Sequence, residues 1–280
     1  MRYALSRAAL AQIRDFVRGR VLLAFDIDGT LAPIVLRPWD ARIPDETQQE
    51  LIELDKRATM AVVTGRAVAD ARPMLAFSPQ YLIGNHGAEG LPGYERIAEG
   101  YIHICSEWLA ALSDAGEAWR EARGIALEDK TYSLAFHYRH AQDRQSACHL
   151  IEDRVARLKP LPDLIHGKCV VNLLPPGAPH KGDALAVLVE HCGCERALYV
   201  GDDVTDENVF RLRLPSVLTV RVERHPASAA DLYLKSQDEV VVLMRKLREM
   251  LPYQKTEVSR QKSEDEGRKA VKFGRRQSSR

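Results

Sequence analysis

Two short clusters of acidic residues have the composition that phosphate and metal chemistry requires. Residues 26–30 read DIDGT, and residues 201–207 read GDDVTDE. Carboxylates gathered at one place repel each other unless a cation lies between them. Mg²⁺ fits such a place, because it takes hard oxygen ligands and is usually held by one or two carboxylates together with a substrate phosphate. Alternatively the acids are turn and helix N-cap residues, which explains one cluster better than two.

Each acidic cluster follows an apolar run of the kind that forms a strand buried on both faces of a parallel sheet. Helix-like stretches, among them 45–57 and 181–191, lie between such runs, and Gly193 is expected as the C-cap of the second. This alternation predicts a doubly wound, mostly parallel α/β sheet, whose ligands bind beyond the carboxyl ends of the strands. The strand candidates are VLLAFD (21–26), MAVVTGR (60–66), YLIGNHG (81–87), ALYVGDD (197–203) and SVLTVRV (216–222).

The segment 91–177 interrupts this alternation. Apolar side chains of one parity in TYSLAFHYR (131–139) indicate an antiparallel strand with one covered face. We therefore interpret the segment as an inserted α+β domain, which we call the cap domain, within a core formed by residues 1–90 and 178–252. The remaining predicted elements of the cap are helices over 101–123 and 142–158 and a strand in KCVVNLL (168–174).

The composition narrows the classes of function. Hydrophobic residues make up 45% of the chain, charged residues 28%, and the net charge is +1, which is typical of a globular protein without a nucleic-acid surface. A basic excess is confined to the C-terminal end, and residues 253–280 are predicted to be a disordered, charged tail. No apolar run is long enough for a membrane span or a signal peptide. The five irregularly spaced cysteines are expected to be reduced thiols of a cytoplasmic protein.

The chain resembles the haloacid dehalogenase-like phosphatases, because it carries the four motifs of that family in their order. These are DIDGTLAP (26–33), VVTGR (62–66), HKGDAL (180–185) and GDDVTDE (201–207). The resemblance implies that Asp26 attacks phosphorus and forms an aspartyl-phosphate, while Asp28 protonates the leaving sugar oxygen and then activates water. It also implies that Thr64 and the amide of Gly65 hold phosphate oxygens, and that Lys181 neutralises charge between the phosphate and Asp26.

The same resemblance implies a magnesium site. Its ligands would be Asp26, the backbone carbonyl of Asp28 and the side chain of Asp202, with Asp203 and Asp206 in support. The chemistry is consistent, because phosphoryl transfer depends on in-line positioning and on neutralisation of oxygen charge, and carboxylate nucleophiles form aspartyl-phosphates.

More local motifs resemble those of the trehalose-6-phosphate phosphatases. They are GDDVTDE, DGTLAP, GNHGAE (84–89) and LEDKTYSLAFHYR (127–139). This resemblance implies hydrolysis of the small-molecule sugar phosphate trehalose 6-phosphate in trehalose biosynthesis, by a phosphoric monoester hydrolase functionally linked to trehalose-6-phosphate synthase.

In that family the cap recognises the sugar. The matching residues here are Glu128, Lys130, His137 and Arg139, although all four could be surface charges. The chain departs from the family at Asn172, where the family usually carries Glu. Asn hydrogen-bonds to hydroxyl groups but carries no charge.

Three other functions stay open. One is a capped phosphatase for another sugar phosphate, such as sucrose phosphate or mannosyl-phosphoglycerate. A second is a phosphomutase, which shares the two-aspartate motif but must return the phosphoryl group to the sugar and keep water out. A third is a non-catalytic domain that binds or regulates a glycosyltransferase, and such a domain would tolerate the loss of Asp26.

Overall fold

A computed structural model of the 280-residue chain describes residues 1–35, 37–114, 118–121 and 123–253. Its helices are α1 (Arg7–Phe16), α2 (Asp45–Asp55), α3 (Val68–Ala71), α4 (Glu95–Asp114), α5 (Ala118–Glu121), α6 (Arg144–Val155), α7 (Lys181–His191), α8 (Glu207–Phe210) and α9 (Glu239–Met250). Its strands are β1 (Arg2–Tyr3), β2 (Val21–Phe25), β3 (Thr59–Val63), β4 (Tyr81–Ile83), β5 (Ala126–Asp129), β6 (Leu134–His137), β7 (Asp163–Gly167), β8 (Val170–Leu174), β9 (Arg196–Gly201), β10 (Val217–Val222) and β11 (Leu232–Leu234).

Seven strands form one sheet in the order β1-β11-β10-β9-β2-β3-β4, and all of its pairings are parallel. From β2 the chain builds β3 and β4 on one side, and it later returns to build β9 and β10 on the other. This reversal leaves a crevice at the carboxyl ends of β2 and β9, which is where open α/β sheets bind ligands. The predicted α/β class is confirmed.

Both faces of the parallel sheet are covered by helices, which explains the continuous apolar run of β2. Val21, Leu23 and Phe25 pack in a cluster with α1, α2 and α9. Leu22 and Ala24 point the other way, into a cluster with α7 and α8. All five side chains are at most 1% exposed, as expected for a strand with no solvent face.

The second sheet is small and antiparallel, in the order β5-β6-β8-β7. It has a hydrophobic core of its own, in which Trp108 of α4 and Ile151 of α6 pack with Phe136 and Leu173. Its strands lie within the segment predicted to be inserted. The predicted domain boundaries at 91 and 177 stay predictions.

Several elements of the small sheet differ from the sequence expectation. The helix expected over 101–123 begins at Glu95, because Gly100 does not interrupt α4; a single glycine inside a helix costs only about 1 kcal/mol. Strand β7 was not predicted. It is mostly exposed, so it lacks alternation, and its two-residue turn to β8 at Lys168 and Cys169 has no Asn-Gly signal.

The expectation that all five cysteines are reduced thiols is wrong for Cys192 and Cys194. The chain leaves α7 through Gly193, whose φ of +60° is the left-handed conformation typical of a glycine that ends a helix. This agrees with the expected role of Gly193 at the end of α7. The turn brings Cys192 and Cys194 to a Cα separation of 5.3 Å, and the two form a disulfide. The remaining three thiols are free.

Of the predicted tail, Tyr253 alone falls within the described residues, and its ring packs against Arg57; residues 254–280 lie outside them. No helix within the described ranges has the length and apolarity that crossing a membrane requires.

Candidate active site

A cleft of about 600 Å³ opens at the carboxyl end of the parallel sheet, between that sheet and the small antiparallel one. Residues that follow four parallel strands line its floor: Asp26 after β2, Thr64 after β3, His86 after β4 and Asp203 after β9. With Lys181 they form what we call the core wall. The opposite side, which we call the cap wall, is lined by Glu128, Lys130, His137, Arg139, Lys168 and Asn172.

On the core wall, Lys181 lies between two buried carboxylates. Its Nζ is 3.1 Å from Oδ2 of Asp26 and donates to Oδ1 of Asp206 at 2.8 Å. Burial alone would lower the pKa of Lys181, but the carboxylates of Asp206 and Asp26 raise it well above its ordinary value. For the carboxyl group of Asp26, burial raises the pKa, and the Lys181 cation opposes that rise. The lysine is therefore a fixed positive charge beside the Asp26 carboxylate.

The start of α7 holds Lys181 in this position. His180 and Asp183 form a capping box, in which each backbone N–H donates to the other residue's side chain at 3.0 Å. At Gly182 a Cβ atom would lie 2.5 Å from the backbone oxygen of Asn208. Glycine here therefore lets α7 approach the chain at α8 closely.

Asp206 organises the loop after β9. Its Oδ1 accepts from Lys181 at 2.8 Å and from the Tyr199 hydroxyl at 2.6 Å. Its Oδ2 accepts from the backbone N–H groups of Asp202 and Asp203 at 2.7 and 3.0 Å. A carboxylate offers about four lone-pair sites, so protein donors occupy all of them in Asp206.

A cation fits the acidic cluster. Carboxylate oxygens of Asp26, Asp202 and Asp206 lie within 4.8 Å of one another, and the saturated Asp206 leaves the other two as side-chain ligands. Burial and the neighbouring charges of Asp206 and Asp203 raise the pKa of Asp202 to about 8. A divalent cation would offset the negative charge of the clustered carboxylates. The ligand atoms are all oxygens, which suits a hard ion.

Gly29 makes room for one of these carboxylates. Its φ is +82°, and a Cβ atom there would lie 2.1 Å from Oδ2 of Asp202. Thr30 donates to the other oxygen of Asp202 at 3.3 Å. The glycine of DIDGT therefore allows the first acidic cluster to approach the second.

Asp28 forms an ion pair that the sequence did not predict. Its carboxylate accepts two hydrogen bonds from the guanidinium of Arg66, both at 2.6 Å. Arg66 is the last residue of the VVTGR motif, and its ion pair with Asp28 spans the cleft floor from the loop after β3 to the loop after β2. This fork geometry is the strong, orienting form of an arginine–carboxylate pair.

Gly65 and His86 pack against each other on the core wall. A Cβ atom at Gly65 would lie 2.3 Å from Cε1 of His86, so this position excludes any side chain. Burial and the nearby charges of Lys181 and Lys130 lower the pKa of His86 to about 3, and the ring is therefore neutral. Its Nδ1 has no hydrogen-bond partner among the described residues.

The GNHGAE loop joins the two walls. Asn85 donates from Nδ2 to the carboxylate of Glu89 at 2.8 Å and to the backbone oxygen of Lys130 at 3.2 Å. Its Oδ1 accepts from the Ser133 hydroxyl. Glu89 also accepts from the backbone N–H of Val68 at 2.8 Å. This motif therefore fixes the small sheet against the core.

The cap wall is polar and less buried than the core wall. Glu128 and His137 face each other across β5 and β6, with Oε2 and Nε2 separated by 2.6 Å. The Nζ of Lys130 donates to the backbone oxygen of Gly65 at 3.2 Å and lies 3.5 Å from Oδ1 of Asn172. These four residues line the cleft.

The cleft brings most of the predicted site residues together. Asp206 is fully buried below its floor, and Asp202 sits beside Gly29. Three residues that line the cleft were not predicted to be functional: Arg66, His86 and Lys168. Arg66 and His86 lie in the VVTGR and GNHGAE motifs, which were recognised without a role for these two side chains. Lys168 lies in a turn that carries no motif. The predicted residues that line the cleft are Asp26, Asp28, Thr64, Gly65, Glu128, Lys130, His137, Arg139, Asn172, Lys181 and Asp203.

The parallel sheet, its carboxylate cluster and the small sheet above it have the architecture of the haloacid dehalogenase-like phosphatases. A sequence profile described as trehalose-phosphatase matches residues 24–237. The chain therefore belongs to the trehalose-phosphatase family.

Two curated relatives are similar over most of their length. A probable trehalose-phosphate phosphatase of Sinorhizobium fredii is 35% identical over 200 residues, which cover 68% of this chain and 72% of the relative. The trehalose-6-phosphate phosphatase of Escherichia coli is 30% identical over 194 residues, which cover 66% and 71%. The chain also matches an uncharacterized glycosyl hydrolase of Mycobacterium tuberculosis, at 34% identity, over 16% of that protein's length.

Solved structures share the fold. The C-terminal domain of the Candida albicans trehalose-6-phosphate phosphatase superimposes with a TM-score of 0.63 at 21% identity, covering 89% of this chain and 98% of that domain.

Proposed function

We propose that the protein hydrolyses trehalose 6-phosphate to trehalose and phosphate through an aspartyl-phosphate on Asp26. The observation that carries the proposal is the placement of Asp26 against the buried Lys181 cation at the carboxyl end of β2, in a cleft whose other wall is polar. Membership of the trehalose-phosphatase family and the names of the two relatives support the substrate.

The core wall would carry the chemistry. Asp26 attacks phosphorus, and the bond between phosphorus and the sugar oxygen breaks. Thr64 and the amide of Gly65 hold phosphate oxygens, and Lys181 neutralises charge beside the nucleophile. Mg²⁺, held by the side chains of Asp26 and Asp202 and by the backbone carbonyl of Asp28, would supply further neutralisation of phosphate charge. Asp203 and Asp206 hold the loop that carries Asp202.

Asp28 would handle the proton. It protonates the leaving sugar oxygen in the first step. In the second step it removes a proton from the water that attacks phosphorus, and the bond between phosphorus and Asp26 breaks to release phosphate. In the present structure its carboxylate is bound to Arg66, so proton delivery requires this pair to open. A phosphate group in the cleft is an alternative partner for the Arg66 guanidinium.

The cap wall would select the sugar. Residues 91–177 form the cap in this proposal, and residues 1–90 and 178–252 form the catalytic core. Glu128, Lys130, His137, Arg139 and Asn172 present charged and amide groups to the cleft, and such groups hydrogen-bond to sugar hydroxyls. A trehalose-6-phosphate synthase would supply the substrate.

Phosphate release from a panel of sugar phosphates, with Mg²⁺ present, tests the proposal. We expect trehalose 6-phosphate to be hydrolysed with the highest kcat/KM, and Asp26→Asn to abolish turnover because an amide is a poor nucleophile. Circular dichroism and the melting temperature of this variant check that it is folded. Turnover of folded Asp26→Asn within about tenfold of the parent would remove Asp26 as the nucleophile.

A further inference from the structure

Three side chains on the outer side of the small sheet bring together sulfur, oxygen and nitrogen atoms. Cys148 and Glu152 are four residues apart on α6 and therefore share one face of that helix. His166 reaches them from β7, the edge strand of the sheet. The Sγ, carboxylate and imidazole atoms all lie within 4.8 Å of one another.

The spacing of these atoms is close to that of ligands around a tetrahedral metal ion. The Sγ of Cys148 is 3.8 Å from Oε1 of Glu152, and Nε2 of His166 is 3.6 Å from the same oxygen. Zinc-ligand bonds of about 2.3 Å to sulfur and about 2.0–2.1 Å to nitrogen or oxygen give tetrahedral edges of about 3.4–3.6 Å. Both distances to Oε1 of Glu152 are therefore within a few tenths of an ångström of a tetrahedral edge, and the third distance, between Cys148 and His166, is within 4.8 Å.

The neighbourhood orients the thiol and leaves the group accessible. Tyr138 and Cys148 pack beside each other against the hydrophobic core of the small sheet. Such contacts around ligands set their direction. His166 is 47% exposed at its side chain and Glu152 is 39% exposed, so an ion can enter from solvent.

We propose that Cys148, Glu152 and His166 form a second metal site, for a divalent transition metal of the zinc class. Thiolate and imidazole ligands select such ions over Mg²⁺, so this site differs in ligand chemistry from the carboxylate cluster beside Asp26. Cys148 loses its proton on binding, and a water molecule completes the tetrahedron.

Titration of the metal-free full chain with Co²⁺ tests the site. A thiolate-bound cobalt ion gives a charge-transfer band in the near ultraviolet, and the carboxylate cluster contains no sulfur that could produce it. We expect the band to appear with wild-type protein, to be lost in Cys148→Ser, and to disappear when Zn²⁺ displaces Co²⁺. In His166→Gln we expect binding to weaken by at least about 100-fold, because even supporting residues contribute 10- to 100-fold to metal affinity.

Matched variants separate the site from its neighbours. His149→Gln and Asp153→Asn change the residues beside Cys148 and Glu152 on the same helix, and Cys169→Ser removes the other thiol near Tyr138; all three should retain the band. Absence of the band in wild-type protein would show that the three side chains are only a hydrogen-bonded surface group. A band that survives Cys148→Ser but not Cys169→Ser would equally overturn the assignment.

Discussion

The two walls of the cleft differ in how their charges are held. On the core wall, Asp26 and Lys181 are at most 4% exposed. Asp206, directly below them, is fully buried and has a protein donor at each lone pair. On the cap wall, the side chains of Glu128 and His137 are 40% and 35% exposed and hold mainly each other. Buried charges depend on their partners for stability, whereas half-exposed ones keep access to solvent and to a ligand.

This difference separates two kinds of contribution. A change on the core wall removes a partner from a closed network, so both the fold and every phosphate ester reaction should suffer. A change on the cap wall leaves that network intact, so its effect should depend on the substrate. Variants on the two walls, together with removal of the metal, test this separation.

Lys181→Ala should have the largest effect. It leaves the carboxylates of Asp26 and Asp206 buried without their shared cation. Loss of one partner from a buried ion pair costs about 3–5 kcal/mol, so we expect the free energy of unfolding to fall by about that amount. Turnover of trehalose 6-phosphate and of p-nitrophenyl phosphate should fall together. Chemical denaturation without added metal and phosphate-release assays measure the two effects.

Lys130→Ala is the matched control, because Lys130 lies on the opposite wall and donates to two uncharged oxygens, the backbone oxygen of Gly65 at 3.2 Å and Oδ1 of Asn172 at 3.5 Å. It should lose less stability than Lys181→Ala and keep most of its p-nitrophenyl phosphate hydrolysis. Equal losses of stability in both variants would show that the walls do not differ in the way described.

Removal of the metal should affect activity but not the buried ion pairs of the core wall. Chelation with EDTA should abolish activity and Mg²⁺ should restore it. In Asp202→Ala the Mg²⁺ concentration for half-maximal rate should rise by more than about tenfold, because a side-chain ligand is lost. Asp70→Ala removes a cleft carboxylate outside the acidic cluster and should leave the requirement unchanged. Full activity after exhaustive chelation would contradict a metal-dependent core wall.

On the cap wall, Glu128→Ala and Lys130→Ala should lower kcat/KM for trehalose 6-phosphate by roughly tenfold to a thousandfold, or about 1.4–4 kcal/mol. Hydrolysis of p-nitrophenyl phosphate should change much less, because this molecule has no sugar to bind. Asp129→Asn, on the opposite face of β5, should affect neither substrate. Proportional loss of both activities would place Glu128 and Lys130 in the core chemistry or in the fold.

The parallel sheet could be predicted from the sequence, because strands that are buried on both faces appear as continuous apolar runs. An apolar run such as VLLAFD has one structural explanation when helical segments flank it, and a polar residue at its end must face the sheet edge. The small sheet leaves weaker signals. Strand β7 is largely exposed and pairs through a turn without glycine at its centre, so neither alternation nor turn chemistry identifies it.

The site could be predicted where a motif fixes position within a few residues. Pairings between distant motifs could not be predicted from the sequence, because they depend on which strands become neighbours in the folded protein. The ion pair of Arg66 with Asp28 spans 38 positions, and the contact of Lys130 with Asn172 spans 42. Each partner was visible in the sequence, but the contact exists only once β2 lies beside β3 and β6 beside β8.

Asn172→Glu should have the smallest effect. Asn172 is 5% exposed; its Oδ1 lies 3.5 Å from Nζ of Lys130, and its Nδ2 donates to the backbone oxygen of Ile165 at 3.4 Å. A glutamate matches the residue that the resemblance to the family leads us to expect here, and it attracts Lys130. It also removes the donor to Ile165 and places a negative charge in a nearly buried site. These opposing contributions are each of about 1–3 kcal/mol.

Because the two contributions oppose each other, we expect kcat/KM for trehalose 6-phosphate to stay within about tenfold of the parent, which is about 1.4 kcal/mol. Asn172→Gln has the same added length without the charge, so the difference between the two variants isolates the effect of the carboxylate. If glutamate raises trehalose 6-phosphate turnover well beyond tenfold while glutamine does not, the uncharged Asn172 is suited to a different sugar. The cap wall would then select another sugar phosphate, while the core wall and its reaction would stay as proposed.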